Sequence, residues 1–157
     1  MSKTKFVYVT YIRTTPEKVW QAITEGPVTR QYWEHENVSD WKPGSPWEHR
    51  RTDAAHTVDL VGKVLETTPP RKLVISWAAP QDRDVPAGHS RVTFLIEPME
   101  DMVRLTVTHD DLEPGSNMEQ GITEGWPRVL SSMKSFLETG RPLATWFGKE
   151  KAAKQEA

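Results

Sequence analysis

Five histidines are the side chains of this sequence that could bind a metal ion or transfer protons near neutral pH. They are His35, His49, His56, His89 and His109. A zinc site needs three or four converging ligands, which usually include a close pair of histidines or cysteines. No two of these histidines have such a spacing, and the chain has no cysteine. We therefore expect no metal site and no cofactor.

His109 and Asp110 are adjacent in the sequence and are the residue types of a catalytic pair in which a carboxylate orients a histidine ring. However, neighbours on a β-strand point to opposite faces, so Asp110 cannot orient His109 directly. The sequence also has no nucleophile elbow, no glycine-rich phosphate loop and no carboxylate pair on a shared face. We predict that His109 is a hydrogen-bonded residue of a cavity wall, and a general acid or base is the alternative.

Several other polar residues are predicted to be at the surface. Residues 34–36 (Glu-His-Glu) follow a predicted helix and are expected in a solvated loop. Ser131 and Ser132 are expected on the outward side of the last helix. Three residues are predicted as turn and surface positions, namely Asp53, His56 and Asp59.

Length and charge limit the classes of protein to which the chain could belong. A chain of 157 residues forms one domain that buries roughly 70% of its unfolded surface. We place this domain at residues 1–147, followed by a frayed charged tail at 148–157. The net charge of -2 argues against a nucleic-acid-binding surface, which needs a basic excess. No apolar run approaches ~20 residues, and no export signal precedes the first strand, so a cytoplasmic location is expected.

Seven tryptophans are more than a core of this size normally requires. They are Trp20, Trp33, Trp41, Trp47, Trp77, Trp126 and Trp146. Each can bury ~200 Å² and keeps an N–H that needs an acceptor. We interpret most of them as core residues with a polar edge, and expect several to line an amphipathic pocket. Trp146 and Phe147 are expected to fold back on the body or to mark a self-association contact.

The order of predicted elements is one strand, two short helices, a run of strands and a long helix. Thr15 precedes Pro16 and Glu17, a pattern that starts a helix. Gly26 and Pro27 end that helix and open the second one. The predicted strands are Lys5–Ile12, Asn37–Trp41, Pro46–Arg51, Thr57–Glu66, Lys72–Ala78, Ser90–Glu97 and Met102–Asp110. Short connections between the later strands favour an antiparallel meander.

Alternation along the strands predicts which side chains share the inner face of the sheet. This face should be mainly aliphatic, since Val, Leu, Ile and Phe recur at every second position in four of the strands. Four larger polar or aromatic residues should also lie on it, namely Trp47, His49, Trp77 and His109.

The last predicted helix, Gly121–Gly140, combines an apolar face with helix-weakening residues. Gly121 and Gly125 lower helix propensity, and Pro127 removes a backbone donor. These residues predict a bent helix that closes over the sheet and leaves a cavity, with its first half as a movable wall. The alternative is that the glycines allow close approach of the helix to the sheet.

Ordered sequence motifs from Phe6 to Leu143 carry a resemblance to a known family. The motifs are TPEKVW at 15–20, QYW at 31–33, GKVLE at 62–66, PPRKL at 69–73, LTVTH at 105–109, GWPRVL at 125–130 and LETG at 137–140. In this order they resemble the START-like (SRPBCC, helix-grip) superfamily. Within it, the chain is similar to the branch of homologues of the activator of heat-shock protein 90 ATPase.

The resemblance implies an α+β helix-grip fold. Such a fold has a curved seven-stranded antiparallel sheet, two short helices, and one long C-terminal helix that encloses a hydrophobic cavity. Proteins of this superfamily bind lipids, sterols, polyketides and other apolar molecules, and some catalyse cyclisation or hydrolysis. The eukaryotic co-chaperone has a separate N-terminal domain, whereas only five residues precede Phe6. We therefore expect no stimulation of a chaperone ATPase.

These patterns lead to three functional hypotheses. The first is a protein that binds a small apolar or aromatic ligand without catalysis, either as a monomer or as a homodimer. The expected lining is Trp77, Phe94, His109, Trp126, Val129 and Met133, with Trp33, Trp47 and His49 near the mouth. The second is a cyclase or hydrolase that uses His109 or His49 as acid or base. The third is a co-chaperone-like protein-interaction module.

Overall fold

A computed structural model describes residues 3–143 of the chain. The described part contains seven strands in one antiparallel sheet and three α-helices. The strands are β1 Thr4–Ile12, β2 His35–Val38, β3 Pro46–Arg51, β4 Val58–Thr68, β5 Lys72–Trp77, β6 Ser90–Met99 and β7 Met102–Leu112. The helices are α1 Pro16–Thr24, α2 Gly26–Trp33 and α3 Asn117–Thr139. The predicted α+β helix-grip arrangement of sheet and helices is confirmed.

The sheet order is β1-β7-β6-β5-β4-β3-β2, so the strands after α2 form a meander and β1 closes it beside the last one. β-Bulges interrupt the register between β1 and β7, between β3 and β4, and between β4 and β5. A bulge inserts an extra residue and increases the local twist. The result is a curved sheet that can wrap around a helix.

Thr15 and Gly140 cap the helix ends as expected, and Ser116 is a further cap. Thr15 Oγ1 accepts a hydrogen bond from the N–H of Lys18, and Pro16 opens α1. Ser116 caps α3 by accepting from the N–H of Glu119. Gly140 ends α3 in the left-handed conformation at φ 81°, which glycine adopts without steric cost.

Two predicted elements have a boundary that is wrong by more than two residues. The second strand spans His35–Val38 rather than Asn37–Trp41. Glu34 takes the left-handed conformation at the end of α2, which turns the chain directly into the strand, and Trp41 also has a positive φ of 58°. The long helix begins at Asn117 instead of Gly121, because Ser116 provides its N-cap.

The core lies between the inner face of the sheet and the buried face of α3. The helix contributes buried side chains that belong to one cluster with those of β5, β6 and β7. They are Ile122, Trp126, Val129, Leu130 and Met133. The apolar residues that alternate along the strands and those spaced along α3 therefore pack into the same core.

The prediction that Ser131 and Ser132 lie on the outward side of α3 is wrong for Ser132, and Ser131 is half-buried. Ser132 is buried because this side of α3 faces α2, and its hydroxyl donates to the carbonyl oxygen of Tyr32 at 2.9 Å. The hydroxyl of Ser131 donates within the helix to the carbonyl oxygen of Pro127. Together, α2 and the sheet therefore hold α3 from two sides.

Gly62 allows one close approach that a larger residue would prevent. A Cβ atom at this position would lie 1.9 Å from the carbonyl oxygen of Ser76 and 2.4 Å from Trp47 Nε1. The indole of Trp47 therefore passes over Gly62, where its N–H donates to the Ser76 carbonyl at 2.7 Å. This bond holds the indole of Trp47 in the core.

Candidate functional site

A pocket of about 230 Å³ lies between the first half of α3 and one end of the sheet. The sheet contributes residues from β3, β4 and β5, and Trp33 enters from the end of α2. Its lining residues are Trp33, His49, Leu60, Trp77, Asn117, Met118, Gly121, Ile122, Gly125, Trp126 and Val129. None of these side chains is an acid, a lysine or an arginine, and aromatic and aliphatic groups predominate.

The structure separates the nine residues predicted for ligand binding into two groups. Five line the pocket, namely Trp33, His49, Trp77, Trp126 and Val129. The other four are buried in the core and are not part of the lining: Trp47, Phe94, His109 and Met133. Strand alternation gave the correct face for Trp47, Phe94 and His109, and helical spacing gave it for Met133, but burial in the core keeps all four out of the pocket lining.

Six lining residues are not among those nine. They are Leu60, Asn117, Met118, Gly121, Ile122 and Gly125. Asn117 and Met118 belong to the first turn of α3, which the sequence prediction omits by starting the helix at Gly121. The capping pair Ser116 and Glu119 is the signal that could have located them.

His109 is fully buried, and its hydrogen bonds determine its tautomer. Trp126 Nε1–H donates to His109 Nδ1 at 3.0 Å, and because an indole nitrogen can only donate, Nδ1 carries the lone pair. The ring proton is therefore on Nε2, which donates to Ser90 Oγ at 2.7 Å. Ser90 Oγ donates in turn to the carbonyl oxygen of Trp77 at 3.2 Å. Every polar hydrogen in this series has an acceptor, so His109 is held in its neutral form.

The electrostatics of His109 agree with this hydrogen-bond pattern. Burial lowers the pKa of His109 to about 4, although the nearby Asp110 carboxylate opposes the shift. Asp110 itself is engaged by Arg91, with 2.7 Å between Oδ2 and Nη2. A general acid or base works best with a pKa near the working pH. His109 lacks that property, and both of its ring nitrogens are already occupied.

His49 is also buried, but only one of its ring nitrogens has a partner. Asn37 Nδ2 donates to the carbonyl oxygen of Ile23 at 2.8 Å, which directs Asn37 Oδ1 towards His49. His49 Nδ1 lies 2.6 Å from this oxygen and must therefore donate the proton. Nε2 then carries the lone pair, and no described residue donates to it. His49 consequently presents an unused acceptor in the wall of the pocket.

His35 stacks on His49, with ring centroids 4.2 Å apart and an interplanar angle of 3°. Its Nδ1 lies 3.1 Å from the carbonyl oxygen of Trp33, and its Nε2 lies 2.8 Å from Asp59 Oδ2. Both partners are acceptor oxygens, so each ring nitrogen of His35 faces an oxygen atom. Burial and the charge of His35 hold the pKa of His49 well below its usual range.

These contacts correct two surface predictions. His35 begins β2 and is half-buried rather than part of a solvated loop. Asp59 lies within β4 and pairs with both His35 and Arg51, each at 2.8 Å, instead of occupying a turn. The partners are 24 residues apart in sequence, so local charge patterning does not reveal them.

Trp77 is the second side chain of the wall with an unused polar group. Its indole Nε1–H is buried and has no acceptor among residues 3–143. By contrast, the indole N–H groups of Trp41, Trp47 and Trp126 donate at 2.7–3.0 Å. Leaving a buried donor without an acceptor costs about 1–3 kcal/mol. Trp77 and His49 are neighbours, with ring centroids 6.3 Å apart.

Gly121 and Gly125 both line the pocket, and neither has a close neighbour on its side-chain side. A Cβ atom added at either position would meet nothing within 4 Å. The alternative that these glycines allow close approach of α3 to the sheet is therefore wrong. The missing side chains instead leave space in the pocket wall.

Two other structural features, a cluster of metal ligands and a membrane-spanning helix, are absent from the described part of the chain. No group of three or more histidine, cysteine, aspartate or glutamate side chains converges as metal ligands within residues 3–143. None of the helices there combines the length and hydropathy that a bilayer crossing requires. Trp146, Phe147 and the predicted tail at 148–157 lie outside the described residues.

Solved structures of similar fold come from several bacteria. The dimer of Aha1 from Colwellia psychrerythraea has a TM-score of 0.71 at 20% identity, with 87% of this chain and 98% of that chain covered. Protein ChR145 from Cytophaga hutchinsonii has a TM-score of 0.69 at 25% identity, with 87% of this chain and 95% of that chain covered. CalU16 from Micromonospora echinospora has a TM-score of 0.68 at 19% identity, with 98% of this chain and 83% of that chain covered. These similarities show a shared fold.

The sequence comparison identifies a family. No curated protein sequence matches the chain. The family model described as activator of Hsp90 ATPase homolog 1-like protein matches residues 13–138, which include α1, α2, β2 to β7 and nearly all of α3. With most of its length matched, the chain belongs to this family of activator of Hsp90 ATPase homolog 1-like proteins.

Proposed function

We propose that the protein binds a small, uncharged, apolar or aromatic ligand between α3 and the sheet, without making or breaking bonds in it. The pocket of about 230 Å³ with its aromatic and aliphatic lining carries this proposal. A cavity of roughly 150 Å³ lined by apolar side chains accommodates benzene. The pocket is therefore large enough for a substituted ring or a small bicyclic molecule.

Binding without catalysis agrees with the protonation of the two buried histidines. His109 is neutral with both nitrogens engaged, and its pKa of about 4 leaves little charged form at neutral pH. His49 lines the pocket but has no carboxylate directly bonded to it, because Asp59 is bonded to His35. Neither histidine has the partner or the pKa of a general acid–base catalyst.

The proposal can be tested by filling the pocket from α3. Replacing Gly125 with leucine places a side chain in the space beside Trp126, and so should abolish the binding of naphthalene. Binding is followed by the change in tryptophan fluorescence. Gln120→Leu introduces the same side chain at an exposed position of α3 that does not line the pocket, and should leave binding unchanged.

Native mass spectrometry gives an independent test of the same proposal. The wild-type protein, isolated gently, should retain a small organic molecule that Gly125→Leu releases. Equal retention or equal naphthalene binding by the two proteins would contradict a site in this pocket. A wild-type protein that binds no apolar molecule at all would remove the proposed function.

A second candidate function, contact with another copy of the chain, is favoured by one surface. β1 is an edge strand, and Val7, Val9 and Tyr11 on it are 47–49% exposed. An apolar row of this kind is typical of interaction sites. The Colwellia relative is a dimer. Light scattering should give a dimer mass for the wild type and a monomer mass for Val9→Lys, whereas a monomeric wild type would exclude this function.

A further inference from the structure

Two polar groups of the pocket wall have no partner, although neighbouring groups of the same type do. Trp77 is 95% buried, since its exposed fraction is 5%, and its indole N–H has no acceptor in the described chain. His49 is 3% exposed; its Nε2 has no donor in the described chain, but this atom is not among the fully buried ones, so it remains accessible. Buried polar groups in folded proteins nearly always have a partner, so the unpaired indole N–H of Trp77 needs an explanation.

The surrounding protein fixes the chemical role of each group. An indole nitrogen donates and cannot accept. His49 Nε2 must accept, because Asn37 Oδ1 holds the ring proton on Nδ1 at 2.6 Å. The amide of Asn37 cannot turn over without loss of its bond to the carbonyl oxygen of Ile23, which is only an acceptor. The wall therefore offers one donor and one acceptor of fixed identity.

A hydroxyl group matches this pair, because one oxygen both accepts and donates a hydrogen bond. The two rings are neighbours, with centroids 6.3 Å apart, so we expect one ligand group to contact both. The other lining side chains carry no charge, so an ion would lose its hydration without compensation. The body of the ligand should be apolar to match the remaining wall.

We propose that the pocket selects a neutral, hydroxyl-bearing ring compound, whose hydroxyl accepts from Trp77 Nε1–H and donates to His49 Nε2. This inference rests on the proposed ligand-binding function and specifies its substrate class. It also explains why these two groups are left without a protein partner while Trp47, Trp126 and His109 are fully bonded.

Four related probes can separate the contributions to binding in the wild-type protein. 2-Naphthol has both a donor and an acceptor, 2-methoxynaphthalene keeps only the acceptor, naphthalene has neither, and 2-naphthoate is charged. Two hydrogen bonds should make 2-naphthol bind about tenfold more tightly than naphthalene in calorimetry. The methyl ether should bind more weakly than 2-naphthol, because it has no proton for His49, and 2-naphthoate should be the weakest of the four.

A pair of matched variants then tests the contribution of Trp77. Trp77→Phe removes the unused N–H, so the preference for 2-naphthol over naphthalene should fall to about threefold or less. Trp41→Phe makes the same change in a tryptophan that does not line the pocket and donates to the carbonyl oxygen of Thr24. This control variant should keep the tenfold preference for 2-naphthol over naphthalene.

The outcomes distinguish this inference from the proposed function itself. If naphthalene and 2-naphthol bind equally, or naphthalene binds better, the pocket is an apolar site and the hydroxyl selection is wrong. If neither molecule binds, the proposed function also fails. Should Trp77→Phe not fold, the ranking of the four probes on the wild type still decides the question, and a tenfold preference that survives in a folded Trp77→Phe would overturn the role of Trp77.

Discussion

Two neighbouring groups of buried polar side chains differ in how their hydrogen bonds are completed. In one, Trp126, His109 and Ser90 bond to each other and end on a backbone carbonyl, so that no polar hydrogen is left over. In the other, His49 and Trp77 each keep one group without a partner in the described chain. Only the second group has both members in the pocket lining.

The difference separates a role in stability from a role in binding. A complete set of hydrogen bonds stabilises the fold and leaves nothing to offer a ligand. An incomplete set of hydrogen bonds destabilises the empty protein, and this loss of free energy is offset only when another molecule supplies the missing partners. The location of the unpaired atoms is therefore a better guide to a binding site than the number of buried histidines or tryptophans.

The largest effect expected from this comparison is acid destabilisation through His109. Its pKa is about 4 in the folded protein and about 6.5 in the unfolded chain. The unfolded state therefore binds more protons between these values, and stability is lost as the pH falls from 6.5 towards 4. Linkage gives a loss of about 3 kcal/mol by pH 4 from this residue alone.

His109→Gln sharpens the measurement because glutamine is neutral at every pH in this range. The free energy of unfolding, obtained from urea titrations between pH 7 and pH 4, should depend less on pH in this variant than in the wild type. Part of the acid dependence should remain, because burial also holds the pKa of His49 low. Parallel curves for the two proteins would show that His109 is not held neutral.

A smaller effect is expected from removing one indole nitrogen from each group. Trp126→Phe leaves His109 Nδ1 without its donor, whereas Trp77→Phe removes a donor that has no acceptor. Because both variants lose similar volume, Trp126→Phe should be about 2 kcal/mol less stable than Trp77→Phe. Thermal or urea unfolding at pH 7 measures the difference. Equal losses would contradict the distinction between a complete and an incomplete set of bonds.

The smallest expected effect concerns the glycines of α3. Gly125→Ala should raise the free energy of unfolding by about 1 kcal/mol, because alanine has the higher helix propensity and its Cβ meets no atom within 4 Å. The same methyl group occupies the pocket and should weaken the binding of 2-naphthol. Gly121→Ala should behave in the same way. A destabilised Gly125→Ala protein would show that this glycine is required by packing instead.

The order of elements and the inner faces of the sheet were predictable because they depend on local periodicity. Alternation in the strands, the Thr15 cap and Gly140 all act within a few residues. The second strand was misplaced because the left-handed conformation of Glu34 is not typical of a non-glycine residue, and no residue type at this position indicates the turn.

Which residues reach the pocket, and which hydrogen bonds they form, could not be predicted in the same way. Alternation placed His109 on the inner face, but only the packed structure shows Trp77 and Trp126 in front of it. The pairing of His35 with Asp59 and the contact of Ser132 with Tyr32 join residues that are distant in sequence. Such contacts follow from the tertiary fold, which a single sequence does not specify residue by residue.

The indole resonances of the tryptophans test the central claim most directly. In ¹H–¹⁵N spectra, the Trp77 indole signal, assigned from its absence in Trp77→Phe, should move downfield when 2-naphthol is added, because its N–H gains an acceptor. The Trp47 indole signal, whose N–H is already bonded to Ser76, should move much less. Naphthalene should not produce the downfield shift at Trp77. A Trp77 signal that responds identically to saturating 2-naphthol and naphthalene would contradict the claim that this unpaired group recognises a ligand.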